Sequence, residues 1–355
     1  MAIQALLESP CILENFHTLH LDTTDRRGIE HANTIDWQDV FLFLTQFVKN
    51  IYLLSFNRPD LFYIPISQSR IGFLRDSFFI IPALFVRSKV VVHLHGGNLL
   101  SLYSNGSPIW KKYMNTILGR AKRFVVLGEM LKNHFHPWTD DEKISTVPNG
   151  IPDEDLDEAE DRSMAQGNTR PFRVLFLSTL LKQKGVFVLL NTIPHVLKVV
   201  KNVHFLFGGF PGTKDIHSET MTWIHERNLN DCIEFVGPVV GKDKSDFLRS
   251  GDVFVFPGIQ QEGQPLVVLE AMRAGLPVVT TDRGCLQETV IDGKSGFIVP
   301  PNSPEALASK ILVLLQNHKL RHSMRLESRK RFEQEYTLDR HTQRIKDVLF
   351  ATLHF

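Results

Sequence analysis

Short apolar segments rich in β-branched and aromatic residues recur along the chain and alternate with segments of helical periodicity. Most of them are apolar throughout rather than at every second position. Strands that are apolar on both faces are typical of parallel sheets covered by helices on both sides. The pattern therefore predicts an α/β protein with doubly wound parallel sheets. The predicted strands cover residues 16–22, 61–66, 89–95, 123–128, 144–148, 173–178, 203–209, 233–237, 253–257, 277–281 and 296–300.

The alternation is interrupted once, by a polar segment rich in acidic residues. The chain has 355 residues, which is more than one typical domain holds. Residues 153–171 have no apolar face and read as an acidic linker. We therefore predict an N-terminal domain over 1–152, a C-terminal domain over 172–337, and a shared cleft at the carboxyl ends of their strands. The helical segment 338–355 either packs on its own domain or crosses back to the first.

Composition excludes several classes of function. The formal net charge of +1 gives no global basic field for nucleic acid. The three cysteines have no metal or disulfide spacing, which favours a reducing, cytoplasmic compartment. No uninterrupted apolar run reaches the length of about 18 residues that a membrane span needs. Residues 110–123 form a basic amphipathic helix, which either contacts anionic lipid at the inner face of the membrane or is simply solvated.

The stretch "EGQPLVVLE" at 262–270 carries the most specific chemistry. It follows a predicted strand, and Pro265 suits the start of a helix that Gly275 ends. Glu262 then lies in the loop, and Glu270 about 7.5 Å along the helix axis. The backbone N–H groups between the two glutamates meet at the positive end of the helix, which is an anion site. Two carboxylates that can accept hydrogen bonds from hydroxyl groups, with a phosphate site between them, match the order of groups in a nucleotide sugar: sugar hydroxyls, diphosphate and ribose diol.

The same stretch resembles the donor-binding motif of family 4 glycosyltransferases, which are retaining enzymes of the GT-B fold. The shared pattern is Glu-Gly-x-Pro-Leu-x-x-Leu-Glu-Ala-Met-x-x-Gly-x-Pro-Val, and residues 284–301 continue the similarity. The resemblance implies two Rossmann-like domains and a nucleotide diphosphate sugar as donor. It implies that Glu262 contacts the donor sugar and Glu270 the ribose. The residues it implies along the sugar and diphosphate are Gly263, Gln264, Pro265 and Leu266.

Two further loops of the C-terminal domain fit this resemblance. In "LSTLLKQKGV" (177–186), Lys184 and Gly185 match the family's Lys-Gly, and the lysine is implied to clamp the diphosphate. Thr179 stands where the family usually has an arginine, and Lys182 is a candidate to replace its charge. Residues 235–239 resemble the segment that meets the nucleotide base. In "FLFGGFPG", Gly208 and Gly209 follow a strand directly and allow close backbone approach to a ligand.

The N-terminal domain offers an acceptor-side histidine. Strand residues alternate in direction, so His93 and His95 of "VVVHLHGGN" point the same way. His95 lies nearer the carboxyl end and matches the histidine that the family places there, either to orient the acceptor or to contact the donor sugar. Gly96 and Gly97 would let backbone approach the substrate. Asn149 of "VPNGI", which also resembles the family, is expected on the hinge side of the cleft.

Relatives open with a strand and a glycine-rich loop, for which this chain shows no counterpart. "MAIQALLESP" resembles the end of the helix that follows that loop, and residues 16–22 resemble the second strand. Extending the reading frame upstream would separate a misplaced start from a truncation or a degenerate copy.

The leading hypothesis is a retaining glycosyltransferase that uses a nucleotide diphosphate sugar, a glycan or lipid-linked acceptor, no cofactor and no metal. Glu262, His95 and Lys184 are its predicted catalytic residues. The competing hypothesis is a catalytically impaired, nucleotide-sugar-binding remnant. The third hypothesis is a sugar-nucleotide epimerase with the same fold.

Overall fold

The computed structural model describes residues 2–23, 37–154 and 170–354, which divide into two units. One unit comprises residues 1–147 together with 341–355, and the other comprises 148–340. The division near residue 147 comes slightly before the end of the predicted first domain at 152. Most of the predicted acidic linker, residues 155–169, lies outside the described residues.

The first unit is built on a four-stranded parallel sheet. Its strands pair in chain order, β1-β2-β3-β4, with Leu61 opposite Lys89 and Phe124 opposite Ile144. The strands are β1 (Leu61–Pro65), β2 (Lys89–Leu94), β3 (Arg123–Val126) and β4 (Ile144–Thr146). The helices are α1 (Ala2–Glu8), α2 (Pro10–Leu13), α3 (Trp37–Asn57), α4 (Arg70–Phe85), α5 (Leu99–Ser104) and α6 (Pro108–Leu118).

Helix α4 shows how the sequence sets these elements. Ser69 accepts a hydrogen bond from Gly72 N, which caps the first turn. Phe73, Ser77 and Ile80 are fully or almost fully buried, at four- and three-residue spacing on one side of the helix.

The predicted strand at 16–22 is wrong. Residues 16–23 form no helix or strand, and the Leu19 side chain is exposed. Phe16 instead packs on the Phe350 ring, with ring centroids 4.9 Å apart. The segment has no continuous apolar face to bury, so alternation alone does not place it in a sheet.

The second unit contains a six-stranded parallel sheet with strand order β10-β9-β8-β5-β6-β7. Its strands are β5 (Phe172–Leu177), β6 (Val203–Gly208), β7 (Ile233–Gly237), β8 (Val253–Phe256), β9 (Val278–Thr281) and β10 (Gly296–Val299). The helices are α7 (Val186–Leu197), α8 (Lys214–Glu226), α9 (Gly241–Arg249), α10 (Leu266–Arg273), α11 (Leu286–Thr289), α12 (Pro304–Gln316), α13 (His318–Glu335) and α14 (Leu338–His354). Helix α14 begins in this unit, and its residues from His341 onward belong to the first unit.

Strand β5 explains why the predicted strands are apolar throughout. Val174 and Phe176 belong to one buried cluster, and Leu175 and Leu177 belong to another. Alternate side chains of one strand thus enter two cores, one on each face of the sheet. The doubly wound prediction is confirmed most directly here, because the strand order reverses between β5 and β8.

One helix of the first unit is long and apolar enough to cross a membrane. Helix α3 has 21 residues, and its 18-residue apolar window is only 17% buried. The expectation from the sequence missed it because it required an uninterrupted apolar run, whereas α3 mixes apolar residues with Gln46, Lys49 and Asn50.

Candidate functional site

The candidate site of the second unit lies where its strand order reverses. The chain leaves β5 toward β6 on one side, and β8 pairs with the other side of β5. Loops that follow two such strands diverge at their carboxyl ends and leave a crevice, the usual ligand site of an open α/β sheet. Here the two loops also touch, since Ile259 N donates to Gln183 O at 2.9 Å.

Two glycines allow the loop after β5 to approach its neighbours closely, namely the loop after β8 and the loop after β6. Gly185 has φ +83°, and a Cβ built on it would lie 1.9 Å from Pro257 O. Gly209 has φ +126°, and its Cβ would lie 1.9 Å from Ser178 O. Any other residue at either position would be strained and would push the loops apart. Gly208 lies directly before Gly209, with its Cβ position 2.9 Å from a Leu177 methyl group.

A cavity of about 350 Å³ opens between the strand ends and the start of α10. It contains two cationic and one anionic side chain, and its remaining walls are mainly backbone and apolar groups. The segment that resembles the base-binding region contributes Pro238 and Val239. The cavity is lined by Leu177, Ser178, Thr179, Lys184, Gly209, Phe210, Pro238, Val239, Lys244, Phe256, Pro265, Val267 and Glu270.

Glu262 and Lys184 form an ion pair beside this cavity. Lys184 Nζ lies 2.7 Å from Glu262 Oε1, and both side chains are largely shielded from water. Gln260 Nε2 donates to the same oxygen at 3.1 Å. Two residues 78 positions apart in sequence, each predicted as catalytic, are therefore in direct contact. A carboxylate held this way is oriented, and the lysine remains within reach of an incoming anion.

Glu270 forms a second ion pair at the other part of the cavity. Its Oε1 accepts a hydrogen bond from Lys244 Nζ at 2.5 Å, and both side chains are mostly buried. Lys244 was not predicted from the sequence. It lies in the polar helix α9, where "GKDKSDF" reads as a solvated face. Only the packing of α9 against α10 turns this lysine toward the site, and no local pattern signals that.

Helix α10 begins as predicted. Pro265 is its N-cap, one position before Leu266, and Gly275 follows its end with φ +70°. The loop before it is held by the next strand's loop: Gly284 N donates to Gln261 Oε1 at 2.8 Å, and Cys285 N donates to Gly263 O at 3.1 Å. The position of Glu262 thus depends on residues that follow β9.

Gln264 has a structural role that its place in the motif does not show. Its side chain is buried, accepts from Asn149 N at 2.7 Å and donates to Thr289 Oγ1 at 3.0 Å. The backbone carbonyl oxygen of Gln264 accepts a hydrogen bond from Asn149 Nδ2. Asn149 therefore lies in the second unit, against the loop that precedes α10, rather than in the predicted first domain. The reason is that β4 ends at Thr146, and the chain then bonds to elements of the second unit, including Ile151 to Thr337.

The surroundings of Thr179 show which cations could replace the arginine that is usual at this position in the resembling family. Thr179 lines the cavity. Lys182, the predicted replacement, instead pairs with Glu219 at 2.7 Å and lies over the Phe187 ring, 5.2 Å from its centroid. It does not line the cavity. The cations that do are Lys184 and Lys244.

In the first unit, the half-buried His95 lies next to the buried His93. The rings of His93 and His95 lie on the same side of β2, with centroids 4.0 Å apart, as strand alternation predicts. Burial, with a smaller effect of His341, lowers the pKa of His95 to about 4. Burial also lowers the pKa of His93 well below its usual value and raises that of Tyr63, whose hydroxyl hydrogen-bonds to His93 Nδ1. At neutral pH these imidazoles are uncharged.

The two glycines after His95 are half-buried and lie beside the loop that precedes α4. A Cβ on Gly96 would lie 2.2 Å from Gln68 Nε2, and Asn98 N donates to Gln68 Oε1. Gly96 therefore permits a close backbone approach, but to Gln68 in this structure. Among the described residues, no group of three or more His, Cys, Asp or Glu side chains is arranged to hold a metal ion.

Comparisons with known proteins identify glycosyltransferases as similar to this chain. Residues 157–331 match the family model described as glycosyl transferases group 1. The chain is 33% identical over 177 residues to the phosphatidyl-myo-inositol mannosyltransferase of Mycobacterium leprae, which covers 49% of this chain and 45% of that protein. It is 26% identical over 259 residues to an uncharacterized glycosyltransferase of Methanocaldococcus jannaschii, covering 73% and 67%. The chain thus spans about half the length of several curated relatives it matches.

Solved structures are similar over most of the chain. HepE from Anabaena, in complex with UDP, superposes with a TM-score of 0.72 at 18% identity, covering 86% of this chain and 82% of that one. A glycosyltransferase from Rickettsia africae gives a TM-score of 0.72 at 18% identity, covering 90% and 84%. Together with the two parallel α/β sheets, these matches establish that the chain has the GT-B fold of glycosyltransferases, and its residues 157–331 are similar to the group 1 domain.

Proposed function

We propose that the protein transfers a sugar from a nucleotide diphosphate sugar to a glycan or lipid-linked acceptor, with retention of configuration. The observation that carries the proposal is the cavity at the β5/β8 reversal with an ion pair at each part of it, Lys184–Glu262 and Lys244–Glu270. The similarity to the group 1 family and to a structure solved with UDP supports it.

Each part of a nucleotide sugar has a counterpart in this cavity. Glu270 would accept hydrogen bonds from the ribose hydroxyls, next to Pro238 and Val239 on the side of the base. Lys184 and the N-terminal end of α10 would hold the diphosphate. Glu262 would accept from hydroxyls of the donor sugar. Binding would replace the Lys184–Glu262 contact by two new ones, so neither charge would be left unpaired.

The reaction would break the bond between the anomeric carbon and the diphosphate oxygen. The negative charge that develops on this oxygen would be stabilised by Lys184 and the positive helix end. The acceptor hydroxyl oxygen would bond to the anomeric carbon from the face the diphosphate leaves, and its proton would pass to the departing phosphate. We propose His95, Gly96 and Gly97 as acceptor-side residues. Neutral His95 would hydrogen-bond to the acceptor without adding charge.

No metal or cofactor enters this proposal, so a chelator should leave transfer unchanged. The phosphatidyl-myo-inositol mannosyltransferase relatives support a lipid-linked acceptor as one class to test. A cytoplasmic location is part of the proposal, supported by the three free cysteines Cys11, Cys232 and Cys285.

Transfer and donor hydrolysis by the full chain test the proposal, with UDP-, GDP- and ADP-sugars as donors. Glu262→Gln and Lys184→Met should each lower the rate by about 100-fold or more, because each removes a charge next to the reacting bond. Glu234→Gln and Lys198→Met are the matched controls. They remove the charge of an exposed glutamate and an exposed lysine and should leave the rate unchanged. Undiminished turnover in Glu262→Gln would refute its assigned role.

The same assay separates the competing hypotheses. Calorimetry that shows UDP, GDP or ADP binding without any turnover would support the non-catalytic remnant. Conversion of the donor sugar without an acceptor would support an epimerase. Absence of both nucleotide binding and turnover would contradict the proposed function altogether.

A further inference from the structure

Helix α3 has an apolar face that the described residues leave uncovered. Six large side chains repeat at spacings of three and four residues and are 51–75% exposed. Such spacing places them in one stripe along the helix, about 28 Å long at 1.5 Å per residue. We call this stripe the α3 apolar face: Trp37, Phe41, Leu44, Val48, Tyr52 and Phe56.

The opposite side of α3 is fixed to the rest of the first unit. The ring of Phe43 contacts those of Phe78 and Phe79, with centroids 5.6 and 5.9 Å away, and Leu54 is buried. Asn50 Nδ2 donates to Phe79 O at 3.2 Å. The helix is therefore held on α4 by one side while the other side faces outward. A helix held in this way would lie on a lipid surface rather than cross it.

The size of the α3 apolar face requires an explanation. Its four aromatic side chains each have roughly 150 Å² or more of surface and are 59–75% exposed. They alone expose more than about 300 Å², which is already the size of the largest apolar patch on many monomers. Scattered exposed apolar residues are ordinary, but a continuous stripe of this size indicates a binding surface.

The apolar surface continues along α4 to the proposed acceptor side. Ile71 and Phe78 of α4 are 63% and 45% exposed. The first residue of α4 is Arg70, two positions after Gln68, which contacts both Gly96 and Asn98. The apolar surface thus runs to the loop that follows His95, within a single unit.

The charges around this surface identify its occupant. Residues 37–89 contain six Lys and Arg and three Asp, a difference of +3. Helix α6 lies beside α4, with the Trp110 ring 5.7 Å from that of Phe73. The helix and the turn after it carry no acid and four Lys and Arg outside the core, which are Lys111, Lys112, Arg120 and Lys122. Two copies meeting through this face would bring positive surfaces together, whereas an anionic lipid surface would attract both the aromatic stripe and the cations.

We propose that the α3 apolar face, with the cationic residues of α6 and of the turn after it, docks the protein on an anionic lipid surface. This inference rests on the proposed function for its purpose, since it would present the acceptor-side loop to a lipid-linked acceptor. Its physical basis does not depend on catalysis. The stripe contributes by burial of apolar area and α6 by attraction to lipid head groups.

Vesicle co-sedimentation of the full chain tests the proposal. The protein should bind vesicles of phosphatidylcholine mixed with phosphatidylglycerol, and bind phosphatidylcholine alone at least about tenfold more weakly. The combined variant Phe41→Ser, Val48→Asn, Phe56→Ser should bind the mixed vesicles at least about tenfold more weakly than the original chain. Lys112→Glu with Arg120→Glu should reduce binding to the mixed vesicles only.

A matched control replaces three apolar residues of the second unit with similar exposure, Val199→Asn, Val240→Asn and Leu326→Asn. It should sediment with vesicles as the original chain does. Equal binding by the α3 variant and this control would overturn the proposal. So would light scattering that shows a stable dimer which the α3 variant alone converts to monomer, since the face would then bind a second copy.

Nucleotide binding keeps the two proposals separate. UDP affinity measured by calorimetry should be the same in the α3 variant and the original chain, which also shows that the variant is folded. If the original chain binds vesicles but neither binds nor turns over any nucleotide sugar, the proposed function fails and the lipid surface stands. If it turns over donor but ignores vesicles, the reverse holds.

Discussion

In the second unit the charged side chains next to the cavity are held in pairs, Lys184 with Glu262 and Lys244 with Glu270. In the first unit the titratable groups at the proposed acceptor side are the uncharged imidazoles of His93 and His95, and His93 Nε2 has no hydrogen-bond partner among the described residues. The first unit also exposes the α3 apolar face, whereas the exposed apolar residues of the second unit are scattered.

This difference in charge suits the two units to different substrates of the proposed reaction, the donor and the acceptor. Paired charges can be exchanged for the hydroxyls and phosphates of a charged donor at little cost in desolvation. Neutral imidazoles beside apolar surface suit an uncharged hydroxyl group on a lipid or glycan. The two units therefore should respond differently to packing changes, to acid and to loss of single charges.

The largest effect is expected from the close packing of Gly284 against the loop that precedes α10 in the second unit. A Cβ on Gly284, which has φ +57°, would lie 1.7 Å from Glu262 O. Gly284→Ala should therefore lower the free energy of unfolding by roughly 2–5 kcal/mol and displace Glu262. Thermal or urea unfolding measures the first effect, and UDP calorimetry measures the second.

Gly293→Ala is the matched control for this change. Gly293 has a similar φ of +74°, but nothing lies within 4 Å of its Cβ position. Gly293→Ala should lower the free energy of unfolding only by the cost of a left-handed backbone conformation, about 1–2 kcal/mol, and should leave UDP binding intact. Equal destabilisation by both substitutions would show that backbone conformation, and not the contact with Glu262, makes a glycine necessary at position 284.

The next effect concerns acid and the first unit. A histidine whose pKa is lowered to about 4 stays neutral in the native state while the unfolded chain takes up a proton near pH 6.5. The unfolded state then binds more protons, so stability falls as the pH falls from about 6.5 to 4. His95 accounts for at most about 3 kcal/mol of this loss.

Urea unfolding of the original chain and of His95→Gln, at pH 7 and at pH 5, checks this contribution. The stability difference between the two proteins should shift in favour of His95→Gln at pH 5. His204→Gln, which replaces an exposed histidine of the second unit, should show no such shift. A pH dependence that is identical in all three proteins would place His95 in a more hydrated environment than the structure gives it.

These comparisons also show which parts of the molecule the sequence predicts. Ten of the eleven predicted strands form, and most of them are apolar on both faces and bounded by turns. The segment at 16–22 fails because it has alternation without a face to bury. The sequence places Lys184 and Glu262 in loops after two different strands but does not predict their contact. The two side chains meet because these strands, β5 and β8, are neighbours in the sheet.

Other features of the site depend on packing that no local pattern records. Lys244 reaches Glu270 only through the contact of α9 with α10. Gln264 carries the motif's polar side chain, yet it bonds to Asn149 and Thr289 rather than facing the cavity. A spacing rule gives the position of a residue on its own element, but the direction of a long side chain depends on what the neighbouring elements offer it.

A smaller effect separates the two ion pairs of the cavity from ordinary surface pairs. Glu270→Gln keeps the shape of the side chain but removes the charge that holds Lys244 and that would accept from the ribose. UDP affinity measured by calorimetry should fall by about tenfold, or about 1–2 kcal/mol. Uridine without phosphates should lose a similar factor, because Glu270 acts on the nucleoside. A loss seen with UDP alone would instead assign Glu270 to the diphosphate.

The smallest effect is expected at Lys182, and it tests whether the charge missing at Thr179 is replaced. Lys182 and Glu219 are each about half exposed, so their ion pair contributes at most about 0.5 kcal/mol to stability. Lys182→Ala should change UDP affinity by less than about twofold, because the lysine is held away from the cavity by Glu219. Releasing it with Glu219→Ala gives the stricter test. If Glu219→Ala strengthens UDP binding and adding Lys182→Ala reverses the gain, Lys182 can reach the diphosphate when freed. If neither change matters, Lys184 and the end of α10 hold the diphosphate without it.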